Sequence, residues 1–345
     1  MDKLLGPRVE HLIVDQPGLL SDIVAEALEL PKAFVLELLR FGAIFCSAVP
    51  PPMNPEASRK DLKRAVPRRA LQDVAVPRRA YVRVHVHPIR YPAAYTTDWK
   101  ARIVSKGAGY VVVDKPAGVP VVHSTDNVIE SSLTCVAQAL GEEEPLRATH
   151  RLDTCTSGLA VLGRTQEFVA AFNRMLRSER TPRPLRKLYR SLSASEPPLG
   201  TLVHWAAVGT RRLGWPDHTL LHADSAPGRL RCELEVLTRE RVRLGPGAAA
   251  AGWAPAEAWE AVVELRTGRT HQIRAQLAAC GAPLLGDTLY QRLAPCAAAR
   301  APADEVRSSS AVGEAWRLEV TDCQGLFGEV GTAVFEASLP WWRDE

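Results

Sequence analysis

The order of strand-like and helix-like segments over residues 96–345 is the sequence feature that most restricts the fold. The strand-like segments show a short apolar run or a two-residue alternation, and they are YVVVDK (110–115), LAVL (159–162), KLYRSL (187–192), 230–244 and 259–266. The helix-like segments are 126–140, 166–178 and HQIRAQLAACG (271–281), which ends at a glycine. Because the chain lacks regular strand–helix–strand alternation, we predict an α+β domain with a mixed, mostly antiparallel β-sheet.

Residues 1–95 have a different pattern and predict a second, smaller α+β domain. Apolar residues at helical spacing over 19–41, interrupted by Pro31, indicate two short helices. Strands are expected at AIFCSAV (43–49) and YVRVHVHPI (81–89). Residues 50–80 are rich in proline and arginine, and we expect an exposed basic arm or loop there, because proline disrupts helix and sheet alike.

The charge of the chain is distributed unevenly along its length. The whole sequence has 43 Lys and Arg against 39 Asp and Glu, for a formal net charge of +4. Residues 59–90 contain ten basic side chains against two acidic ones, and residues 174–190 contain seven against one. Clustered arginine beside an acidic remainder is typical of a protein that binds a polyanion such as nucleic acid. The alternative is that each run is a solvated linker.

Several functional classes find no support in the sequence. No apolar run approaches the roughly 18 residues that span a bilayer, and the N-terminus lacks the apolar core of a signal peptide. We therefore expect a cytoplasmic protein, with nucleus and organelle left open, and a monomer by default. The seven cysteines have no zinc-ligand spacing, and no phosphate-binding glycine motif is present. We expect free thiols and neither a metal nor a cofactor.

Three stretches carry residues suited to chemistry. They are HRLDTCTSG (150–158), Lys187-Leu188-Tyr189 and RTGRTHQIR (266–274), and together they supply a carboxylate, a phenol and several guanidinium groups. A carboxylate such as that of Asp153 stays ionised when an arginine lies within a few Å. The alternative is structural: Asp153 caps a strand end, and Arg274 lies on the surface of a helix.

The same stretches resemble a known family. HRLDTCTSGLAVL (150–162), KLYRSL and RTGRTHQIRAQLAACGAPLLGDTLY (266–290) resemble the three sequence signatures of the RluA-type RNA pseudouridine synthases, in order and in spacing. YVVVDKPAGVPVVHS (110–124) resembles the strand and turn that open their catalytic domain. The resemblance implies a pseudouridine synthase fold for residues 96–345. Residues 31–47 and 81–90 resemble, more weakly, the small S4-like RNA-binding unit of many members, which implies an S4-like domain over 1–95 with an insert at about 50–80.

The resemblance also implies an activity and roles for individual residues. The family isomerises uridine to pseudouridine in structured RNA such as rRNA or tRNA, without a cofactor. It implies that Asp153 is the essential carboxylate, either as a nucleophile at C1′ or as the base that removes the C2′ proton. Arg274 is the implied ion-pair partner of Asp153. Tyr189 is expected to stack on the uracil, and its phenol could assist a proton transfer.

A further set of residues is expected to contact RNA. Arg151 lies two residues before Asp153, and the resemblance implies that it fills the gap left when a uridine leaves its stem. The other expected contacts are basic or aromatic side chains near the site or in the arm: His150, Lys187, Arg269, His271, Arg68, Arg69, Arg78 and Arg79. Arginine suits phosphate oxygens because its guanidinium offers a planar fork of donors.

Two other functions stay open at this point. The basic arm would also suit a catalytically silent RNA-binding or RNA-chaperone protein on the same fold. A hydrolase that uses Asp153 as a general base would release free uracil. Retention of Asp153, Tyr189 and Arg274 argues against the catalytically silent protein, and chromatography for free uracil would reveal the hydrolase.

Overall fold

A computed structural model describes residues 8–51, 65–180, 182–207, 219–245, 257–291, 313–322, 325–328, 331–340 and 342–343. The chain divides into two compact units. The first comprises residues 1–91 together with 122–131, and the second comprises 92–121 together with 132–345. None of the helices within the described part of the chain is long and apolar enough to cross a membrane.

The N-terminal unit is a small α+β unit in which two helices cover one face of a sheet. Its helices are α1 (Leu20–Leu28) and α2 (Lys32–Phe41), and its strands are β1 (Val9–Ile13), β2 (Gly18–Leu19), β3 (Ile44–Ser47), β4 (Arg68–Ala70), β5 (Ala75–Val76) and β6 (Tyr81–His85). Four strands form an antiparallel sheet in the order β1-β6-β3-β4, and β2 pairs with β5. Leu20, Val24 and Leu38 pack with Ile44 and Val82 in its core.

The expectation that residues 50–80 form an arm or loop is wrong for part of that segment. Residues 52–64 lie outside the described part, but β4 pairs with β3 and β5 pairs with β2. The prolines do not prevent this pairing, because Pro67 precedes β4 and Pro77 follows β5. In addition, β4 is an edge strand, where a missing donor is tolerated.

A segment from the middle of the chain, 122–131, belongs to the N-terminal unit. The prediction of a helix over 126–140 is wrong for its first six residues, because the helix begins only at Ser132. The side-chain oxygen of Asn127 accepts hydrogen bonds from the backbone N–H groups of Ile129 and Glu130, at 3.1 and 3.0 Å. Asparagine satisfies its neighbours' backbone in this way in turns, in competition with helix.

The second unit has few helices and one large sheet. Its helices are α3 (Ala93–Thr96), α4 (Ser132–Leu140), α5 (Gln166–Leu176) and α6 (Gln272–Ala279). Its strands are β7 (Ile103–Lys106), β8 (Tyr110–Lys115), β9 (Arg147–Ala148), β10 (Ser157–Gly163), β11 (Leu185–Ser193), β12 (Gly200–Ala207), β13 (Leu221–His222), β14 (Arg229–Arg243), β15 (Glu257–Leu265), β16 (Gly313–Asp322) and β17 (Gly331–Glu336).

The strand order of this sheet is β13-β12-β14-β15-β11-β16-β10-β8-β7, with β17 beside β16 and β9 beside β10. Within the described residues every pairing is antiparallel except that of β10 with β16. The predicted α+β class with a mixed, mostly antiparallel sheet is therefore confirmed. On one side of the sheet, Phe168 and Phe172 of α5 pack with Tyr110, Val161 and Leu318 in a buried aromatic and aliphatic cluster.

The parallel contact between β10 and β16 brings two backbones unusually close. Gly158 has a φ of +100°, and a Cβ added there would overlap the backbone carbonyl of Ala315. Ala315 also pairs with Tyr189 on its other side, so Gly158, Ala315 and Tyr189 form one row across three strands. A β-bulge in β16 opposite Leu188 and Tyr189 sets this register.

We predict that Gly158→Ala destabilises the second unit more than Gly200→Ala does. Both glycines have a φ near +95°, but a Cβ at Gly200 meets nothing within 4 Å. Backbone strain alone costs about 1–3 kcal/mol, and only Gly158→Ala adds the overlap with Ala315. Scanning calorimetry of the full chain measures the two melting temperatures. Equal shifts would mean that the close contact of β10 and β16 is not a constraint.

Candidate active site

A cavity of about 470 Å³ in the second unit collects the residues that the sequence singled out. Eight of the twelve predicted site residues line it, and they are His150, Arg151, Asp153, Lys187, Tyr189, Arg269, His271 and Arg274. The other four predicted residues belong to the N-terminal unit. Arg68, Arg78 and Arg79 are exposed there, whereas Arg69 is half-buried and donates hydrogen bonds to the carbonyls of Gly42 and Ser124.

The loop that carries Asp153 is held by a buried lysine. Lys115, at the end of β8, is completely buried, and its Nζ donates to the carbonyls of Pro116, Val119 and Thr154, at 2.9, 2.7 and 3.3 Å. Burial lowers the pKa of Lys115 to about 7, against the opposing effect of nearby negative groups that include Asp153. One side chain thus ties the turn after β8 to the residue next to Asp153.

Tyr189 lies in the middle of β11, between Val263 of β15 and Ala315 of β16. It is only 8% exposed, although it lines the cavity. Burial raises the pKa of the Tyr189 phenol well above its usual value, and the negative charge of Asp153 raises it further. The phenol therefore stays protonated near neutral pH, beside the carboxylate.

Arg274, in the first turn of α6, stands between two carboxylates. Its Nη1 is 3.5 Å from Oδ2 of Asp153. Its Nε and Nη2 donate to the two oxygens of Asp287, at 2.7 and 2.9 Å. Burial tends to lower the pKa of Arg274, but the hydrogen bonds to Asp287 and the surrounding negative charges raise it overall. The guanidinium is therefore fixed by Asp287 and presents one remaining edge to Asp153.

Asp287 is a site residue that the sequence interpretation missed. Its side chain is fully buried, and Oδ1 also accepts the backbone N–H groups of Leu289 and Tyr290, at 3.1 and 3.2 Å. A signal was available in the stretch PLLGDTLY (283–290), where one carboxylate stands among apolar residues. Aspartate in such surroundings is almost never buried without a partner. The sequence offered no way to choose that partner, because Arg274 lies on a different element.

His271 and His150 brace the cavity. His271, which precedes α6 with a φ of +53°, has its Nδ1 3.2 Å from the hydroxyl of Tyr290. Nε2 of His150 accepts the backbone N–H of Val161 in β10 at 3.1 Å. Burial, and then the charge of Lys187, lower the pKa of His150 to about 3. The neutral ring of His150, whose Nε2 already accepts a hydrogen bond, offers no charge to a phosphate. His150 therefore supports the wall of the cavity, and its contact with RNA stays a prediction.

The mouth of the cavity is cationic. Arg151 is exposed, and its Nη2 is 3.2 Å from the hydroxyl of Thr270. Arg269 is also exposed, with Nε 3.4 Å from the carbonyl of Arg231. Burial, and then the charge of Arg183, lower the pKa of Lys187 to about 8, so that it is still mostly charged at pH 7. No group of three or more metal-ligating side chains occurs among the residues that the structure describes.

The arrangement combines a carboxylate, a buried arginine, a protonated phenol on a flat ring and a cationic rim. Such a site can bind an anionic polymer and can place an aromatic ring of the substrate against Tyr189, next to Asp153. The carboxylate can act there as a nucleophile or as a base.

Comparison with known proteins gives the family. Residues 109–279 match the model of the family described as RNA pseudouridylate synthase. The chain is 35% identical to "RNA pseudouridine synthase 6, chloroplastic" of Arabidopsis thaliana, over 98% of this chain and 82% of that protein. It is 31% identical to the protein of the same name from Oryza sativa subsp. japonica, over 98% and 80% of the two chains. Among solved structures, human RNA pseudouridylate synthase domain containing 4 aligns with 72% of this chain and 91% of its own, with 19% identity and a TM-score of 0.48.

The alignments with the two plant proteins cover 98% of this chain, so the match is not confined to one motif or one domain. The chain belongs to the RluA-type RNA pseudouridine synthases and is an isomerase that acts on RNA.

Proposed function

We propose that this chain isomerises uridine to pseudouridine in structured RNA, rRNA or tRNA, with Asp153 as its essential carboxylate. One observation carries the proposal: Asp153, Tyr189 and Arg274 come from three distant parts of the sequence and line one cavity. Arg274 lies 3.5 Å from Asp153, and the charge of Asp153 contributes to the raised pKa of Tyr189. A monomer stays the expected state of the protein. Light scattering of the free protein tests that expectation.

The reaction breaks the bond between N1 of the uracil and C1′ of the ribose, turns the base, and joins it again through C5. Asp153 either attacks C1′ and forms a covalent ester, or removes the C2′ proton and gives a glycal. Both routes need an ionised carboxylate, and an adjacent guanidinium favours the charged form. Arg274 supplies that guanidinium without moving, because Asp287 already holds it.

Tyr189 is suited to hold the uracil while it is detached. Base–aromatic stacking is worth about 1–3 kcal/mol per base, and it permits the base to turn in its plane. A phenol that stays protonated beside Asp153 can also donate a proton or a hydrogen bond during the transfer.

The substrate we propose is a uridine in a stem or stem-loop. Such a base must leave its helix, at a cost of a few kcal/mol, before its ribose can reach Asp153. Arg151 lines the cavity and is exposed, which supports the proposal that it fills the vacated position. Arg269, which is exposed, and Lys187, which is partly buried, line the same cavity, where positive charge suits the RNA backbone. We further propose that the N-terminal unit is an S4-like RNA-binding domain.

We propose that the protein acts in an organelle. The two relatives matched over nearly the whole chain carry the word chloroplastic in their names. They favour the organellar alternative over the cytoplasmic location that the sequence led us to expect. Fluorescence microscopy of the full chain with a C-terminal fluorescent tag tests this proposal, and a purely cytosolic signal would reject it.

Asp153→Asn should abolish pseudouridine formation. The amide keeps the size of the side chain but has no negative charge to attack C1′ or remove a proton. We expect the rate to fall at least about 100-fold, measured by mapping pseudouridine in RNA incubated with each protein. Asp224→Asn, at an exposed position, is the control that should keep the wild-type rate. Equal modification by Asp153→Asn and wild type would reject the role of Asp153 and favour a protein that only binds RNA.

Asp287→Asn should impair both stability and activity. The amide leaves the charge of Arg274 buried without its bidentate partner, which costs about 3–5 kcal/mol. Glu235→Gln is the matched control, because it removes the partner of the half-exposed Arg266 and should cost within about 1 kcal/mol. Urea unfolding of both variants measures the difference. A similar, small cost for the two would mean that Asp287 does not hold Arg274.

A further inference from the structure

The outer face of the N-terminal sheet carries a row of cationic and aromatic side chains. His11 of β1 pairs with Arg83 of β6, Arg83 pairs with Phe45 of β3, and Phe45 pairs with Arg69 of β4. These four residues, here called the arginine row, therefore lie side by side across all four strands. Cross-strand partners project from the same face of a sheet, so the four side chains share one surface.

This surface is opposite to the core. The intervening residues of the same strands, Ile44, Val82 and Val84, are completely buried with the helices. In the arginine row, by contrast, His11 is exposed and both arginines are partly exposed. Alternation along each strand thus gives a sheet with one apolar face and one cationic face.

Phe45 holds both guanidinium groups in place. The Cζ atoms of Arg83 and Arg69 are 4.4 and 4.9 Å from the centre of its ring. Contact with the two arginines leaves Phe45 only 9% exposed. An aromatic ring attracts a guanidinium and restricts its motion, so less entropy is lost when the group binds an anion.

The two arginines of the arginine row, Arg83 and Arg69, have no carboxylate partner among the described residues. Arg69 donates to the carbonyls of Gly42 and Ser124, and Nε of Arg83 is buried. Asp126 is the acidic group near Arg69, but its oxygens accept hydrogen bonds from Ser124 and from the backbone of Ile89. Three other arginines in this unit are paired: Arg40 with Glu37, Arg8 with Glu10 and Arg90 with Glu130.

We propose that the arginine row is an RNA-binding surface, on which Arg83 and Arg69 contact phosphates of the substrate RNA outside the modified nucleotide. This inference rests on the proposed function, since it assigns a second contact to the same substrate. Charge complementarity selects the partner: two guanidiniums held on a partly exposed sheet face suit a polyanion, and RNA is the polyanion on which the family acts. Arg83 lies outside the proline-rich segment 50–80, so the proposed contact with RNA is not confined to that segment.

The test measures binding of a uridine-free, fluorescently labelled stem-loop RNA by the full chain at several salt concentrations. Without uridine the RNA cannot be modified, so the measurement does not depend on catalysis. We expect Arg83→Gln to raise Kd about tenfold, the scale of one lost charge-assisted contact. It should also reduce the slope of log Kd against log salt by about 0.7–0.9, the value for one phosphate. Circular dichroism verifies that each variant is folded.

Two further variants distinguish the arginine row from net charge and from folding defects. Arg40→Gln removes the same charge from an ion-paired arginine of the same unit and should leave Kd and slope near the wild-type values. Arg83→Lys keeps the charge but loses the planar stacking on Phe45. It should keep the slope and raise Kd less than Arg83→Gln does, which makes the proposal testable even if Arg83→Gln fails to fold.

Specific results would overturn the proposal. Wild-type Kd and slope for Arg83→Gln would do so, as would equal effects of Arg83→Gln and Arg40→Gln, or a wild-type chain that does not bind this RNA. Failure of the proposed function is a separate result: the wild type would then form no pseudouridine in any uridine-containing RNA, whatever the binding data.

Discussion

The buried ion pair between Arg274 and Asp287 is the interaction on which the candidate site depends. Desolvating two charges costs several kcal/mol per ion, and only good geometry recovers that cost. Here two hydrogen bonds join the partners, and Asp287 also accepts two backbone N–H groups. The result is a guanidinium whose position is fixed before any substrate arrives. Asp153 can then be weakly contacted, at 3.5 Å, and remain available for chemistry.

The backbone supplies the other half of this preorganisation. Asp153 lies four residues before β10 and Tyr189 lies within β11, and these two strands are not neighbours. Ala315 of β16 joins them, because it pairs with Gly158 on one side and with Tyr189 on the other. Only glycine permits the approach at residue 158. Strand spacing, about 4.8 Å per step, thus sets the separation of the backbones at Gly158 and Tyr189.

The sequence predicted what depends on local pattern and missed what depends on distant partners. Strands such as Tyr110–Lys115 and helices such as Gln166–Leu176 follow from apolar periodicity, and Asp153, Tyr189 and Arg274 stand within contiguous motifs. Asp287 and Lys115 also stand within the quoted stretches, but their sequence neighbours do not reveal their roles, because those roles are set by groups that only folding brings near. The prediction of an arm or loop at residues 50–80, which rested on its prolines, was wrong in part for a related reason. Their effect on pairing depends on whether a strand lies at an edge, which is a property of the sheet.

The position of β16 has a consequence for the synthesis of the protein. This strand is encoded within the last tenth of the chain, at Gly313–Asp322, yet it lies between the strands β10 and β11, which the ribosome completes about 120 residues earlier. Until β16 emerges, the edges of β10 and β11 face each other with a strand missing between them. A nascent or C-terminally truncated chain would therefore expose two hydrogen-bonding edges, and the cavity that contains Asp153 and Tyr189 would form only when translation is nearly complete.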